Sequence, residues 1–364
     1  MSAEVSAVVA AFNAEKTIRM CLNALCLQDF SIGNYEVIVV DDGSTDDTGK
    51  IVRSFSLNKP IKYLRQEGAG LAAARNKGVE AAEGSVVLFI DSDCVAQIGW
   101  IREMTASLKT AGVDAVRGAS MTRWKSIVAR LAQLEMEEIF SALERADFVN
   151  MAGANSSGYQ KDALLRLGGF DASIQISGQI SGQISGQILG HIPGGASDIW
   201  DMGISRTMAM AGCKTAFVPA AVVNHLYHPD SVSAYAGMTI RRGYRCILAY
   251  NTFADRTAAD WYMPHGLKFQ LPALLLAAAG VPVTLIWPTA GLYAILFGVI
   301  SFYLLTMPFT FFALGNDLRA GLLSLPFLLL RAASFGYGML KGLAAGTAEH
   351  AGHHSRGEDR FEKK

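Results

Sequence analysis

The chain lacks a surplus of either charge. Its 32 lysines and arginines balance 32 aspartates and glutamates over 364 residues. A nucleic-acid binder usually shows a basic excess, so nothing here points to that partner. Cysteine is scarce and without pattern. Cys21, Cys26, Cys94, Cys213 and Cys246 form no CxxC, and their odd number suits a reducing compartment better than a disulfide framework. Each reads as a small core residue. The phosphate loop GxxxxGK[ST] is missing, which excludes a P-loop ATPase, and no GxGxxG follows the first apolar run, which disfavours a dinucleotide fold. No basic segment precedes the apolar run in MSAEVSAVVAAFNAEK, so this start reads as a first strand rather than a signal peptide.

Apolar residues, in contrast, make up 51% of the chain and are unevenly spread. In residues 1–118, VSAVVAAF, YEVIVV, IKYL and VVLFI read as strands separated by helical patterns. The first of these helices carries Ile18, Cys21, Leu22 and Leu25, with Asn13 as its expected cap. Such apolar strands, alternating with helices, predict an α/β fold with a mostly parallel sheet covered on both faces. Ligands of such sheets sit beyond the carboxyl ends of the strands.

Residues 119–260 are more mixed. An amphipathic helix is expected over 124–144, then a turn, a helix and a glycine pair over 153–171. ISGQ then occurs three times from Ile176 to Gln187, a period too short for a solenoid, and reads as a surface loop grown by duplication. From Lys268 the chain turns strongly apolar. Leu271–Trp287 and Gly291–Leu314 carry no charge, and a third run is interrupted by Arg331. These runs predict two or three membrane helices over 268–343, with Pro288 in a turn. A lone arginine is expensive in lipid, so the third run either spans or lies in the interface. The tail, 344–364, is expected to be disordered.

Two of the apolar strands end in paired carboxylates. Asp91 and Asp93 follow VVLFI and point the same way if the strand continues, so they can clasp Mg²⁺ or Mn²⁺. Such a site completes its shell with water and substrate phosphates, which implies a phosphorylated substrate. Asp41 and Asp42 open DDGSTDDT, where they can take a base or ribose or simply form a turn and cap. Arg75, after Gly68 and Gly70, offers a fork that matches diphosphate oxygens. Together these describe a nucleotide-diphosphate site.

At this point the sequence resembles the inverting family 2 glycosyltransferases with the GT-A fold, joined to C-terminal membrane helices. The resemblance rests, in order, on VVAAFNAEKTIRMCLNAL, EVIVVDDGSTDDT, GAGLAAARNKG, VVLFIDSDC, GANSSGYQKDALLRLGGFD and AGCKTAFVPAAVVNH, over about residues 6–226. It implies nucleotide-sugar binding by Asp41, Asp42, Arg75 and Asp91, and metal binding by Asp91 and Asp93. It implies acceptor binding by Asn155, Gly169, Asp171 and His225. The family's base is the aspartate of a Glu-Asp pair ahead of an Ala-Gly turn. This chain departs there: GGASDIWDMGISRTMAMAG has no such pair, and the base falls on Asp201 or on Asp198. The QxxRW signature of processive synthases is absent from IRRGYR, so transfer of one sugar or a few is expected.

The resemblance further implies a nucleotide-diphosphate sugar, most simply a UDP-sugar, and a lipid-linked or glycan acceptor in envelope glycan synthesis. Arg241, Arg242, Arg245 and Lys268 precede the apolar runs and would keep the catalytic domain on the cytoplasmic side of a multi-pass inner-membrane protein. A degenerate membrane scaffold of the same fold and a nucleotidyltransferase are the alternatives.

Overall fold

The computed structural model describes residues 3–31, 33–56, 61–149, 155–171, 197–252 and 266–358. Among them the strands are Val5–Ala11 (β1), Tyr35–Asp41 (β2), Ile61–Arg65 (β3), Val86–Ile90 (β4), Cys94–Ala96 (β5), Ala115–Thr122 (β6), Ser156–Gln160 (β7) and Thr215–His225 (β8). They form one sheet in the order β3-β2-β1-β4-β7-β6-β8-β5. The first four strands are parallel, and β1 lies between β2 and β4. The winding therefore reverses beside β1, and sheets of this kind take ligands beyond the carboxyl ends of the strands at such a point. Both halves expected from the sequence, 1–118 and 119–260, supply strands to this sheet. The second brings its antiparallel character: β7 runs against β4 and β6, and β5 against β8.

Ile18–Cys26 (α1), Thr48–Ser56 (α2) and Leu71–Ala81 (α3) are the early crossovers. Strand alternation decides which face each side chain joins. Val9, Val39, Leu88 and Ile90 pack with Ile18, Cys21, Leu22 and Leu25 of α1. Val8, Ile38, Val87 and Phe89 pack on the other face with Ala72, Ala74 and Val79 of α3. This two-sided burial is why the strands read as unbroken apolar runs. At Gly78 an added Cβ would lie 2.3 Å from Val8 Cγ1, so α3 crosses β1 where only glycine fits. Asn13 does not cap α1, whose N-cap is Thr17. It takes a left-handed φ of 48° instead, and its side chain accepts from Thr45 N at 2.9 Å.

The later helices are Trp100–Leu108 (α4), Ile127–Leu143 (α5), Lys161–Arg166 (α6), Ser197–Met210 (α7), Val232–Thr252 (α8), Leu267–Val283 (α9), Pro288–Asn316 (α10), Leu318–Leu322 (α11) and Ser324–Glu358 (α12). Two compact units result. One comprises residues 1–124 and 139–228 and holds the sheet; the other comprises 125–138 and 229–364 and is helical.

Within the helical unit, α10 is the one described helix long and apolar enough to cross a membrane, and α9 is shorter, at 17 residues. Pro288 stands at the start of α10 rather than in the turn before it, a position where its missing N–H is no loss. Helix α12 runs on to Glu358, through the first part of the segment expected to be disordered; that stretch is rich in alanine and free of proline.

Arg331 of α12 is not alone. It is buried, donating to Glu135 Oε1 at 2.6 Å and to Gln270 Oε1 at 2.8 Å. Tyr235 OH donates to the other Glu135 oxygen at 2.8 Å. Breaking a buried pair from one side strands a charge. Arg331→Met is therefore expected to cost about 3–5 kcal/mol, and adding Glu135→Leu to recover much of that loss in thermal unfolding.

Candidate active site

At the end of β2, Asp41 is fully buried. It accepts from Ser44 N at 2.8 Å, Tyr63 OH at 2.7 Å and Arg65 Nη1 at 3.1 Å. Burial raises its pKa, but the hydrogen bonds from Tyr63 and Ser44 and the Arg65 charge outweigh this and hold it below the ordinary 3.8. Gly49 leaves room for the Tyr63 bond, since a Cβ there would lie 2.6 Å from Tyr63 OH.

A carboxyl with a depressed folded-state pKa stabilises the fold above its unfolded pKa. Asp41→Asn should therefore lower stability by about 1–3 kcal/mol at neutral pH. That difference should fade as pH falls below about 3.8 and through the lower folded-state value, which denaturant melts across pH will show.

Asp42 accepts from Gln66 Nε2 at 2.7 Å, Ala69 N at 2.8 Å and Gly70 N at 2.9 Å. It thereby shapes the glycine loop that opens α3, where Gly70 has φ 92°. The loop after β1 is stitched to the loop after β2: Asn13 N donates to Ser44 Oγ at 2.9 Å and Ala14 N to Thr48 Oγ1 at 2.7 Å. Both aspartates expected to meet a nucleotide are thus also the builders of the rim it would rest on.

At the end of β4, Ile90 pairs with Ser156, and Asp91 N lies 3.4 Å from Asn155 O. Asn155 is therefore brought beside the second acidic pair. The short β5 follows at once, and its Cys94 pairs with His225, the last residue of β8. This register sets Asp93 Oδ2 3.6 Å from His225 Nε2. The same oxygen is buried and has no hydrogen-bond partner among the described residues. One atom each from Asp93, Cys94 and His225 lies within 4.8 Å of the others.

Burial and, next, the Asp93 charge push the Cys94 thiol well up, so it stays protonated. Burial pushes Asp91 up to about 6, against the pull of Arg75 and with the help of Asp93 and Asp201. A buried carboxylate oxygen with no partner, an imidazole nitrogen beside it and a second carboxylate two residues away make a donor set that fits a divalent cation.

Arg75, expected to face a diphosphate, is 2% exposed. It donates to Asp201 Oδ1 at 2.5 Å and to Asp91 Oδ1 at 3.3 Å. Its guanidinium lies 5.3 Å from the Phe170 ring centre and 5.9 Å from that of Phe89. Burial pulls its pKa down, but the Asp201 and Asp91 charges more than reverse this.

Asp201, on α7, is thus brought into contact with the acidic cluster. Asp198 lies about one turn earlier on the same helix, and its side chain is outside the described set, as is the whole ISGQ segment. Gly169, with φ 74°, belongs to a turn locked by Asn76, which donates to Phe170 O at 2.7 Å and accepts from Phe170 N at 2.9 Å. A Cβ on Gly169 would meet Asn76 Oδ1 at 2.6 Å. Asp171 ends this turn, exposed. Sequence reasoning missed Tyr63, Arg65, Gln66, Asn76 and Arg117. Of these only Asn76 gave a signal, as the residue after Arg75; Arg117 is buried, which lowers its pKa against the pull of the Asp201 charge.

The sheet order, with acidic tips on β2 and β4, defines a GT-A-like α/β domain. Residues 6–148 match the family described as Glycosyl transferase family 2. The glycosyltransferase AglE of Haloferax volcanii is 38% identical over 117 residues, 31% of this chain and 38% of that protein. The putative glycosyltransferase EpsH of Bacillus subtilis is 41% identical over 109 residues, 30% of each chain. The matched part thus spans well under half of these relatives. Among solved structures, a mannosyltransferase from Pyrobaculum calidifontis in complex with GDP-Man and Mn²⁺ aligns over 94% of this chain and 88% of its own. Its TM-score is 0.54 at 18% identity, a likeness of fold.

Proposed function

We propose that this protein is an inverting glycosyltransferase that moves a sugar from a nucleotide-diphosphate donor, a UDP-sugar, to a hydroxyl of a lipid-linked or glycan acceptor in envelope glycan synthesis. The observation that carries the reading is Asp93 Oδ2, buried and without a hydrogen bond among the described residues, with His225 Nε2 3.6 Å away just past the end of β4. It is supported by the family match and by the sugar nucleotide and Mn²⁺ named for the Pyrobaculum neighbour.

Asp93 and His225 would hold a Mg²⁺ or Mn²⁺ ion, with Asp91 acting through water. When bound, such an ion supplies positive charge at the leaving diphosphate. The loops built by Asp41 and Asp42 form the rim for base and ribose. Asp201 takes the proton from the acceptor hydroxyl as that oxygen attacks the anomeric carbon, and a single displacement inverts it. Asn155, Gly169 and Asp171 border the acceptor side of this cluster.

The helical unit supports attachment to a membrane. Leu285, Ile286, Trp287, Tyr293, Phe297, Leu304 and Phe311 are large, apolar and exposed, far more than a water-facing surface usually shows. With Arg241, Arg242 and Arg245 ahead of α9 and Lys268 in its first turn, the reading is a multi-pass inner-membrane protein whose catalytic domain is cytoplasmic.

The test is a panel of nucleotide sugars, followed by calorimetry and product formation with and without Mn²⁺. Cation-dependent binding of at least one donor, with turnover on an added acceptor, is expected. Failure of every donor to associate in either condition would leave the scaffold alternative in its place.

A further inference from the structure

We propose that Arg75 is a positioning residue that holds Asp201 in place and competes with the cation for Asp91, and that it does not grip the donor's diphosphate. This rests on the reading of the acidic cluster given above and assigns one of its residues a different task.

Both terminal nitrogens of the guanidinium are committed, Nη1 to Asp201 and Nη2 to Asp91. Its surroundings are the rings of Phe89 and Phe170, and almost none of it meets solvent. Nor is it free to swing. It lies on α3, which Gly78 seats directly on Val8, and the neighbouring Asn76 is tied to the Phe170 backbone from both sides. To reach a phosphate, Arg75 would have to break its bonds to the buried Asp201 and the half-buried Asp91, which costs more than one new ion pair returns.

What the fork does instead follows from its charge and shape. A planar guanidinium that bonds Asp201 and Asp91 together fixes the direction of the Asp201 carboxylate relative to the metal-side carboxylate. Its positive charge also sits 3.3 Å from Asp91 Oδ1, where it offsets part of the field that would attract a cation. Removing it therefore strengthens binding of a bare cation while weakening catalysis. A diphosphate clamp has the opposite signature.

The experiment compares wild type, Arg75→Met and Arg75→Lys for Mn²⁺ binding without nucleotide, for UDP binding, and for kcat and KM separately. For Arg75→Met we expect Mn²⁺ alone to bind roughly tenfold more tightly, because one positive charge near the site is gone. UDP affinity should be kept, and kcat should fall about a hundredfold, because the base loses its orientation. Arg75→Lys keeps the charge but cannot bond both carboxylates, so it should bind Mn²⁺ like wild type and still lose kcat. Should Arg75→Met fail to fold, the lysine variant decides: lost kcat with intact UDP affinity supports the assignment. Unchanged Mn²⁺ affinity in Arg75→Met, or a matching loss of UDP affinity in either variant, overturns it. Wild-type protein that binds neither Mn²⁺ nor UDP removes the active-site reading itself and this inference with it.

Discussion

Asp93→Asn is expected to abolish Mn²⁺ binding and to cut turnover on the order of 10³-fold, while leaving the metal-free fold as stable as before or more so. One atom decides the outcome. Asp93 Oδ2 is buried, receives no hydrogen bond among the described residues and stands 3.6 Å from His225 Nε2. A buried polar oxygen without a hydrogen bond costs stability. Asparagine has nearly the same shape and keeps the backbone carbonyl that accepts from Leu226 N at 2.9 Å. A residue kept for structure would lose stability on this change; a residue kept for a cation would lose the cation and gain stability without it. Thermal unfolding with and without Mn²⁺ separates the two. Equal Mn²⁺-induced shifts in wild type and Asp93→Asn would refute the metal assignment.

Asp201→Asn should lower kcat by about 10²–10⁴-fold, with donor binding little changed, and Asp198→Asn should leave kcat near wild type. The sequence left these two aspartates open, because neither follows a glutamate and the ISGQ insertion lies just upstream. The contact with Arg75 favours Asp201: it places this carboxylate in the same cluster as Asp91, at 2.5 Å from the shared guanidinium. The amide keeps an oxygen for that bond, so lost turnover without a lost fold would mark a chemical role. Full activity in Asp201→Asn together with a dead Asp198→Asn would reverse the assignment.

Much of the sheet was readable because its strands are buried on both faces and so appear as unbroken apolar runs between helical periods. The antiparallel joins around β7 and β5 were not readable, since SSGYQ and CVA are short and carry no alternation of their own. The acidic pairs were visible as types at strand ends, but their partners were not. Tyr63, Arg65 and Gln66 meet Asp41 and Asp42 only because β3 lies beside β2, a fact of pairing that spacing does not encode. Arg75 was legible as a cation near the site; its burial against Phe170, 95 positions away by number, was not. Arg331 looked like an isolated charge in an apolar run because its partner, Glu135, comes from a helix almost two hundred positions earlier.

The interleaving of β7 between β4 and β6 bears on how this domain can be trimmed or borrowed. The family match stops at residue 148, before β7, Asp201 and His225. A piece cut there would lose β7 and β8, baring an edge of β4 and of β5 and both edges of β6, an invitation to aggregate, and would carry the acidic tips without His225 or Asp201. The matched segment is therefore no portable cassette: any graft or minimal version has to run at least to the end of β8.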